Sequence, residues 1–198
     1  MIEIVKSATF DRWLRKLKDR RAAARVLVRI DRLAAGNPGD VKPVGSGISE
    51  LRIDYGPGYR VYYLQEGQRL IVLLCGGASP ARTATSSNRT GSPRSGRTMT
   101  KTTETFSPYD SADYLVDVET AAAYLEAALD EAGDDSAVIA QALGTIARSG
   151  NVSELARRIG MSREGLYKAL SADGNPSFAT IMKVARALGL KLHFDSVA

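Results

Sequence analysis

The stretch SELRIDYGPGYRVYYLQEGQRLIVLLC, residues 49–75, contains three runs rich in aliphatic, aromatic and β-branched residues. The short segments GPG and EGQ separate the runs, which cover residues 49–55, 59–65 and 69–75. Runs of this length with turn-forming residues between them indicate consecutive antiparallel hairpins. We therefore predict a small antiparallel sheet in the first 77 residues.

Two helices are predicted before this sheet. A short alternation at Ile2 and Ile4 predicts a strand, and apolar residues then recur at helical spacing at Phe10, Trp13, Leu14 and Leu17. A second helix over residues 22–35 ends at the segment GNP and has an apolar face formed by Val26, Leu27, Ile30 and Leu33. The three arginines of this helix lie largely on its other face: Arg25, Arg29 and Arg32. The predicted fold is a two-helix hairpin that covers one face of the sheet, which makes this part an α+β domain.

The alternation of the strands places polar side chains on the sheet face opposite the helices. Leu51 and Ile53 point to one side of their strand, and Arg52 points to the other. In the next strand Arg60 and Tyr62 share a face. Such residues can shield an exposed sheet from water, or they can form a phosphate-binding surface with aromatic rings, as proteins that bind single-stranded RNA do.

The order β-α-α-β-β-β, the segment GNPGDVKPVG and the block ELRIDYGPGYRVYY resemble the RelE/ParE superfamily of addiction-module killer proteins over residues 1–77. The resemblance implies either ribosome-dependent mRNA cleavage or inhibition of DNA gyrase. RNA cleavage requires proton transfer and a positive charge on the phosphate, and this module has no histidine. Arg52 and Arg60 are the predicted phosphate ligands. Tyr62 and Lys42, which we place in the loop before the sheet, are further catalytic candidates.

Composition excludes several classes of site. The chain has one cysteine, Cys75, and one histidine, His193, so it cannot build a disulfide framework or a cluster of histidine and cysteine metal ligands. It has no phosphate-binding P-loop motif, no apolar run of membrane-spanning length and no apolar signal sequence at its beginning. We expect a cytoplasmic protein without metal or cofactor, and whether it is an enzyme stays open.

Charge divides the chain into four blocks. Residues 1–77 carry 14 Lys and Arg against 8 Asp and Glu, and residues 78–98 carry four Arg and no acid. Residues 99–135, which we name the acidic arm, hold ten acids and one lysine, whereas residues 136–198 have a net charge of +4. Alternating blocks of opposite charge favour packing of the acidic arm on a basic module.

Residues 78–98 have too few large apolar side chains to fold alone, so they are predicted to be a disordered linker. Relatives of the killer proteins continue here with a short charged helix. One choice of codons for residues 82–88, read one nucleotide earlier, encodes Asp-Arg-Asp-Ile-Val-Glu, which is similar to that helix. We hypothesise that a frameshift joined the toxin gene to a second gene starting at Met99 and that it weakened or inactivated the toxin.

The segment VSELARRIGMSREGLYKAL, residues 152–170, has the pattern of a helix-turn-helix. Ala156 is small where the helices touch, Gly160 suits a left-handed turn and Leu166 locks the second helix. We predict that Ser153 and Ser162 cap the two helices. The side chains predicted to reach DNA are Ser162, Arg163, Glu164, Tyr167 and Lys168.

The remaining C-terminal elements are mostly helical. An acidic helix is predicted from Asp113 through Leu129, a second over residues 136–148 and a third from Phe178 to Leu188, followed by a short terminal strand over residues 190–194. The segments AAAYLEAAL, SREGLYKAL and GNPSF resemble addiction-module antidote proteins from Asp117 to Phe194.

This second resemblance implies an autorepressor that binds operator DNA and neutralises its toxin. The favoured hypothesis is a fused toxin–antitoxin pair, with contact in cis or in trans and with homo-oligomers expected. The alternatives are an mRNA endonuclease or gyrase inhibitor with an attached regulatory domain, and a plain transcriptional regulator with an inactive toxin passenger.

Overall fold

The computed structural model describes residues 2–67, 70–78, 104–133, 135–150, 152–170 and 176–191. Of the predicted linker, only Ala78 is described, at the end of a strand, and Met99, His193 and most of the predicted terminal strand lie outside the described residues. The first half of the chain is an α+β unit and the second half is mostly helical, as the sequence predicted.

The three predicted strands form the centre of the sheet. Strands β3 (Ile48–Ile53), β4 (Tyr59–Glu66) and β5 (Leu70–Ala78) pair as consecutive antiparallel neighbours. Gly56 and Gly67, in the two connecting turns, both adopt the positive φ that favours glycine. The turns predicted from the sequence are therefore the turns that connect the strands of the observed hairpins.

Three further strands extend this sheet. Strand β1 (Glu3–Ser7) lies parallel to β5, β2 (Val41–Gly45) lies antiparallel to β3, and β6 (Phe106–Pro108) lies antiparallel to β1. The sheet order is β2-β3-β4-β5-β1-β6. Our placement of Lys42 in a loop was wrong, because the backbone around it pairs with β3. Pro43 is tolerated there because β2 is an edge strand.

Two helices pack on one face of the sheet. Helix α1 (Ala8–Arg15) begins after the cap Ser7, and α2 (Arg20–Ala34) begins after the cap Asp19. Their predicted apolar residues join the inward side chains of β3 and β4 in one core, which includes Phe10, Leu14, Val26, Leu27, Ile30, Leu51, Val61 and Tyr63. Arg29, which the spacing placed on the helix face opposite these apolar side chains, is itself buried, and its guanidinium donates to the carbonyl of Pro38.

The acidic arm continues from β6 into a 3-10 turn (Ser111–Tyr114) and helix α3 (Val118–Ala132). The predicted helical start at Asp113 was wrong. The break occurs because Asp117 is the N-cap of α3, where its carboxylate accepts from the backbone of Thr120 while the Thr120 hydroxyl accepts from the backbone of Asp117. This capping box fixes where the helix begins.

Four helices complete the described chain: α4 (Ser136–Ser149), α5 (Val152–Ile159), α6 (Arg163–Ala169) and α7 (Phe178–Ala187). Ser162 caps α6 as predicted, with its hydroxyl accepting from Gly165 N at 3.0 Å. Ser153 lies inside α5 rather than at its cap, because the helix already begins at Val152. Gly160, between α5 and α6, has a φ of 70°. Leu166 of α6 is buried in the hydrophobic core.

Candidate functional site

The sheet face opposite the helices brings the four predicted catalytic residues onto one surface. Arg52 and Arg60 are direct neighbours across β3 and β4. Lys42, Glu50 and Tyr62 occupy one row across β2, β3 and β4. Because directly opposed residues share a face, these five side chains form what we call the outer face.

Glu50 is a residue of the outer face that the sequence analysis missed. Its side chain is only 5% exposed. It accepts hydrogen bonds from Arg52 Nε at 2.9 Å, from Arg60 Nη1 at 3.1 Å and from the Tyr62 hydroxyl at 2.9 Å. One carboxylate therefore holds three of the four predicted residues in fixed positions. The sequence signal that could have identified Glu50 is its position two residues before Arg52, which places both residues on the same side of the strand.

The charges of the outer face set the protonation of its members. Burial alone would raise the pKa of Glu50, but hydrogen bonds from Arg52 and Tyr62 and the charge of Arg60 hold it below its usual value. The hydrogen bond to Glu50, aided by burial, raises the pKa of Tyr62. At neutral pH the surface thus presents two arginines, an ionised carboxylate and a protonated phenol, while Lys42 is exposed beside them.

A second cluster joins the two halves of the chain. Arginines of α2 pair with acids of the arm in the same order along both segments: Arg20 with Asp117 and Glu119, Arg21 with Glu126, Arg25 with Asp130, and both Arg29 and Arg32 with Glu131. The packing that the charge blocks favoured is therefore present in the structure.

The centre of this interface is a group of hydroxyls around Asp31. The Ser111 hydroxyl donates to Asp31 Oδ1 at 2.6 Å, and the Tyr124 hydroxyl donates to Oδ2. Tyr109 lies 2.9 Å from the Ser111 hydroxyl. Burial raises the pKa of Asp31 to about 6, against the opposing effect of these two donors. Asp31 also lines a groove of about 1090 Å³ between the two halves.

The arm also completes the edge of the sheet. Besides the pairing of β6 with β1, Glu104 accepts from Thr9 N at 2.8 Å at the start of α1. The buried ammonium of Lys6 lies 3.3 Å from Asp11 and 3.6 Å from Asp113, with the ring of Tyr114 4.8 Å away. A buried cation of the first half thus has one acidic partner, Asp113, and two aromatic neighbours, Tyr109 and Tyr114, in the second half.

The five residues predicted to contact DNA lie on the exposed side of α6 and at its cap. Ser162, Arg163, Glu164, Tyr167 and Lys168 are all exposed. The Arg163 guanidinium lies 5.6 Å from the centre of the Tyr167 ring. Their exposure leaves them accessible, and their contact with DNA stays a prediction.

Two kinds of site have no candidate among the described residues. Within these ranges no group of three or more His, Cys, Asp or Glu residues is arranged to hold a metal ion. Among the described helices, none combines the length and apolar composition that crossing a bilayer requires.

Comparison with known proteins gives one family match and two similar proteins. Residues 105–196 match the profile of a family described as probable addiction module antidote proteins. Two proteins of Haemophilus influenzae, both described as uncharacterized, are similar to parts of the chain. One is 55% identical over 76 residues, which is 38% of this chain and 77% of the relative. The other is 51% identical over 89 residues, or 45% of this chain and 90% of the relative. No solved structure matches the chain significantly.

Proposed function

Residues 105–196 of this chain belong to the family of probable addiction module antidote proteins, and from that premise we propose that the chain joins an antidote half to the toxin half that it neutralises. An antidote protein implies a toxin partner. The proposal identifies that partner as residues 1–77 of the same chain, or of a second copy.

The observation that supports this proposal is the row of ion pairs between the arginines of α2 and the acids of the acidic arm. Five arginines of α2 have acidic partners 97 to 105 positions later in the chain, among them Arg20–Asp117 at 3.1 Å and Arg25–Asp130 at 2.6 Å. Tethering raises the local concentration of one half near the other to roughly millimolar for a short flexible connection. Neutralisation in cis then needs no high intrinsic affinity.

For the toxin half we propose a RelE/ParE-like activity located on the outer face. The support is the pair Arg52 and Arg60, side by side on neighbouring strands, with side chains 37% and 40% exposed. Such a pair can bind a phosphate and stabilise the charge that develops when a ribose 2′-hydroxyl attacks it. Gyrase inhibition is the other activity of that superfamily, and the same exposed arginines would serve it as a contact surface.

The residues of the outer face have distinct roles in the cleavage reaction. Glu50 would orient both guanidinium groups, because each donates to one of its carboxylate oxygens. Tyr62 keeps its proton at neutral pH, and its hydroxyl would turn from Glu50, to which it donates in the structure, to donate to the phosphate or to the leaving oxygen. Lys42, exposed one strand away, is the remaining candidate for proton transfer.

Expression of residues 1–98 alone in a bacterial host, beside the full chain, tests the toxin half. The expected result is growth arrest with cut mRNA, both relieved in the full chain. The control is the same fragment with Arg52→Ala and Arg60→Ala, which should permit growth and leave transcripts intact. Normal growth with the unsubstituted fragment would contradict the toxin proposal and favour a regulator with an inactive passenger. Reading the gene in the alternative frame tests the frameshift hypothesis separately.

A second candidate function is operator binding by α5 and α6 acting as a helix-turn-helix. Its support is the left-handed Gly160, the buried Leu166 and the exposed recognition side chains. Tyr167→Ala or Arg163→Ala should weaken specific DNA binding by about 1–3 kcal/mol if these residues read bases. The control Glu126→Ala, on α3 and outside the two proposed DNA-binding helices, should leave binding unchanged. Equal losses on random DNA would make them phosphate contacts instead.

A further inference from the structure

The interface between α2 and the acidic arm contains two chemically different parts. Its periphery consists of exposed ion pairs such as Arg21–Glu126, whose side chains are 66% and 55% exposed. Exposed pairs are screened by salt, and any acidic helix can make them. They favour encounter between the halves, but they discriminate poorly between one acidic partner and another.

The centre of the interface is more demanding. Ser111 and Tyr124 are 2% and 1% exposed, and both hydroxyls donate to the carboxylate of Asp31. A buried hydroxyl without an acceptor costs free energy, because it loses its hydrogen bonds to water and makes none within the protein. Residue 31 of the first half must therefore present an acceptor, and the second half must present matching donors.

We propose that Asp31, recognised by the hydroxyls of Ser111 and Tyr124, determines which antidote half this N-terminal module accepts. The inference rests on the proposed function only in regarding the second half as an antidote. A partner without these hydroxyls leaves a partly buried carboxylate with fewer donors. A module without an acceptor at position 31 leaves two buried hydroxyls unpaired. Either mismatch penalises the wrong pairing, which is how specificity arises when general attraction is shared.

The test uses the full chain with a site-specific protease sequence inserted between residues 88 and 89. Cleavage yields a complex of two separate pieces, and a fluorophore on one piece reports their dissociation when excess unlabelled piece is added. Four complexes are compared: wild type, Asp31→Leu, Ser111→Ala with Tyr124→Phe, and all three substitutions together. The last one replaces the whole polar group by apolar side chains.

We expect each mismatched complex to dissociate at least about tenfold faster than wild type, because buried groups are left unpaired. The complex with all three substitutions should recover to within about threefold of wild type, since no polar group is then left alone. The matched control is Glu126→Ala, which removes an exposed ion pair of the same interface and should change the rate by less than about twofold.

Two results would overturn the proposal. One is a set of mismatched complexes that dissociate as slowly as wild type. The other is a complex with all three substitutions whose dissociation rate is raised by the product of the two factors measured for the mismatched complexes. The two sides of the interface would then act independently. If Asp31→Leu prevents folding before cleavage, Asp31→Asn takes its place in a cycle with Tyr124→Phe, and additive effects in that cycle overturn the proposal equally. The readout involves neither growth nor RNA, so a harmless toxin half would leave this result unaffected.

Discussion

Arginines dominate both the outer face of the sheet and the α2 side of the interface, but their partners come from different places. On the outer face, Arg52 and Arg60 share Glu50, which lies on β3 with one of them and beside the other. In the interface, Arg29 and Arg32 share Glu131, about one hundred residues further along the chain. One carboxylate between two guanidinium groups is common to both.

The difference lies in what happens when the halves separate. The outer face keeps its internal carboxylate, because the hydrogen bonds that hold Glu50 there come from Arg52, Arg60 and Tyr62 of the first half. Helix α2 loses its acids and leaves a row of arginines without partners from the arm. The first half therefore carries one surface whose acidic partner it supplies itself and another whose acidic partners come from the second half.

The largest effect is expected at Glu131. Glu131→Ala removes the acid shared by Arg29 and Arg32, and Arg29 is buried with a side chain only 9% exposed. Loss of a partner for a buried charge should lower the free energy of unfolding of the full chain by about 2–3 kcal/mol, which urea denaturation measures. Glu126→Ala is the matched control on the same helix. Equal, small effects of the two substitutions would contradict the central role of Glu131.

The pH dependence of stability should distinguish Asp31 from its neighbours. Its pKa is raised from 3.8 to about 6 by burial, opposed by Ser111 and Tyr124, with the charges of Asp110 and Arg148 nearby. The folded chain therefore binds this proton more tightly than the unfolded chain does, and the stabilisation is lost as the pH rises through 6. Between about pH 4 and pH 7, wild type should lose about 2 kcal/mol relative to Asp31→Asn. A constant difference across this range would refute the assignment.

Glu50 should show the opposite pH dependence and a smaller effect. Its pKa is held below the usual value, so it stabilises the folded state above that value and loses the contribution as the pH falls. Glu50→Gln should cost about 1 kcal/mol at neutral pH, because its arginine partners are partly exposed. The stability curves of wild type and variant should converge in acid. Thermal unfolding across pH measures this, and parallel curves would contradict it.

The smallest effect is expected at the periphery of the interface. Arg21→Ala removes an ion pair of 3.5 Å between two exposed side chains and should change the free energy of unfolding by less than about 0.5 kcal/mol. What remains of that effect should vanish in high salt. Urea denaturation at two salt concentrations measures it, and a loss as large as that of Glu131→Ala would remove the distinction between the exposed and the buried ion pairs of the interface.

The sequence predicted elements whose own residues carry the signal. The alternation in β3 and β4 placed Leu51 inward and Arg60 outward, and the structure confirms both. The apolar spacing of α2 likewise identified four of its buried residues, Val26, Leu27, Ile30 and Leu33, but not Arg29. These predictions succeed because side-chain period and turn residues are local properties.

What the sequence did not predict depends on distant partners. The three residues of β6 carry no strand pattern and are extended because the edge of β1 offers them hydrogen bonds. Lys42 lies on a strand for the same reason, beside β3. The role of Glu50 becomes visible only through its register with Tyr62, and that of Asp31 only through residues of the arm. Non-local contacts of this kind have no signature within a short window of sequence.

The most direct test of the account is rescue in trans. Residues 1–98 and residues 99–198 are expressed as separate chains in one bacterial host, and growth is followed with the second chain either wild type or carrying Tyr124→Phe and Glu131→Ala. The account predicts that the wild-type second chain restores growth arrested by the first and that the substituted chain, at equal abundance, does not. Equal rescue by both, or by neither, would contradict the claim that this interface neutralises the first half.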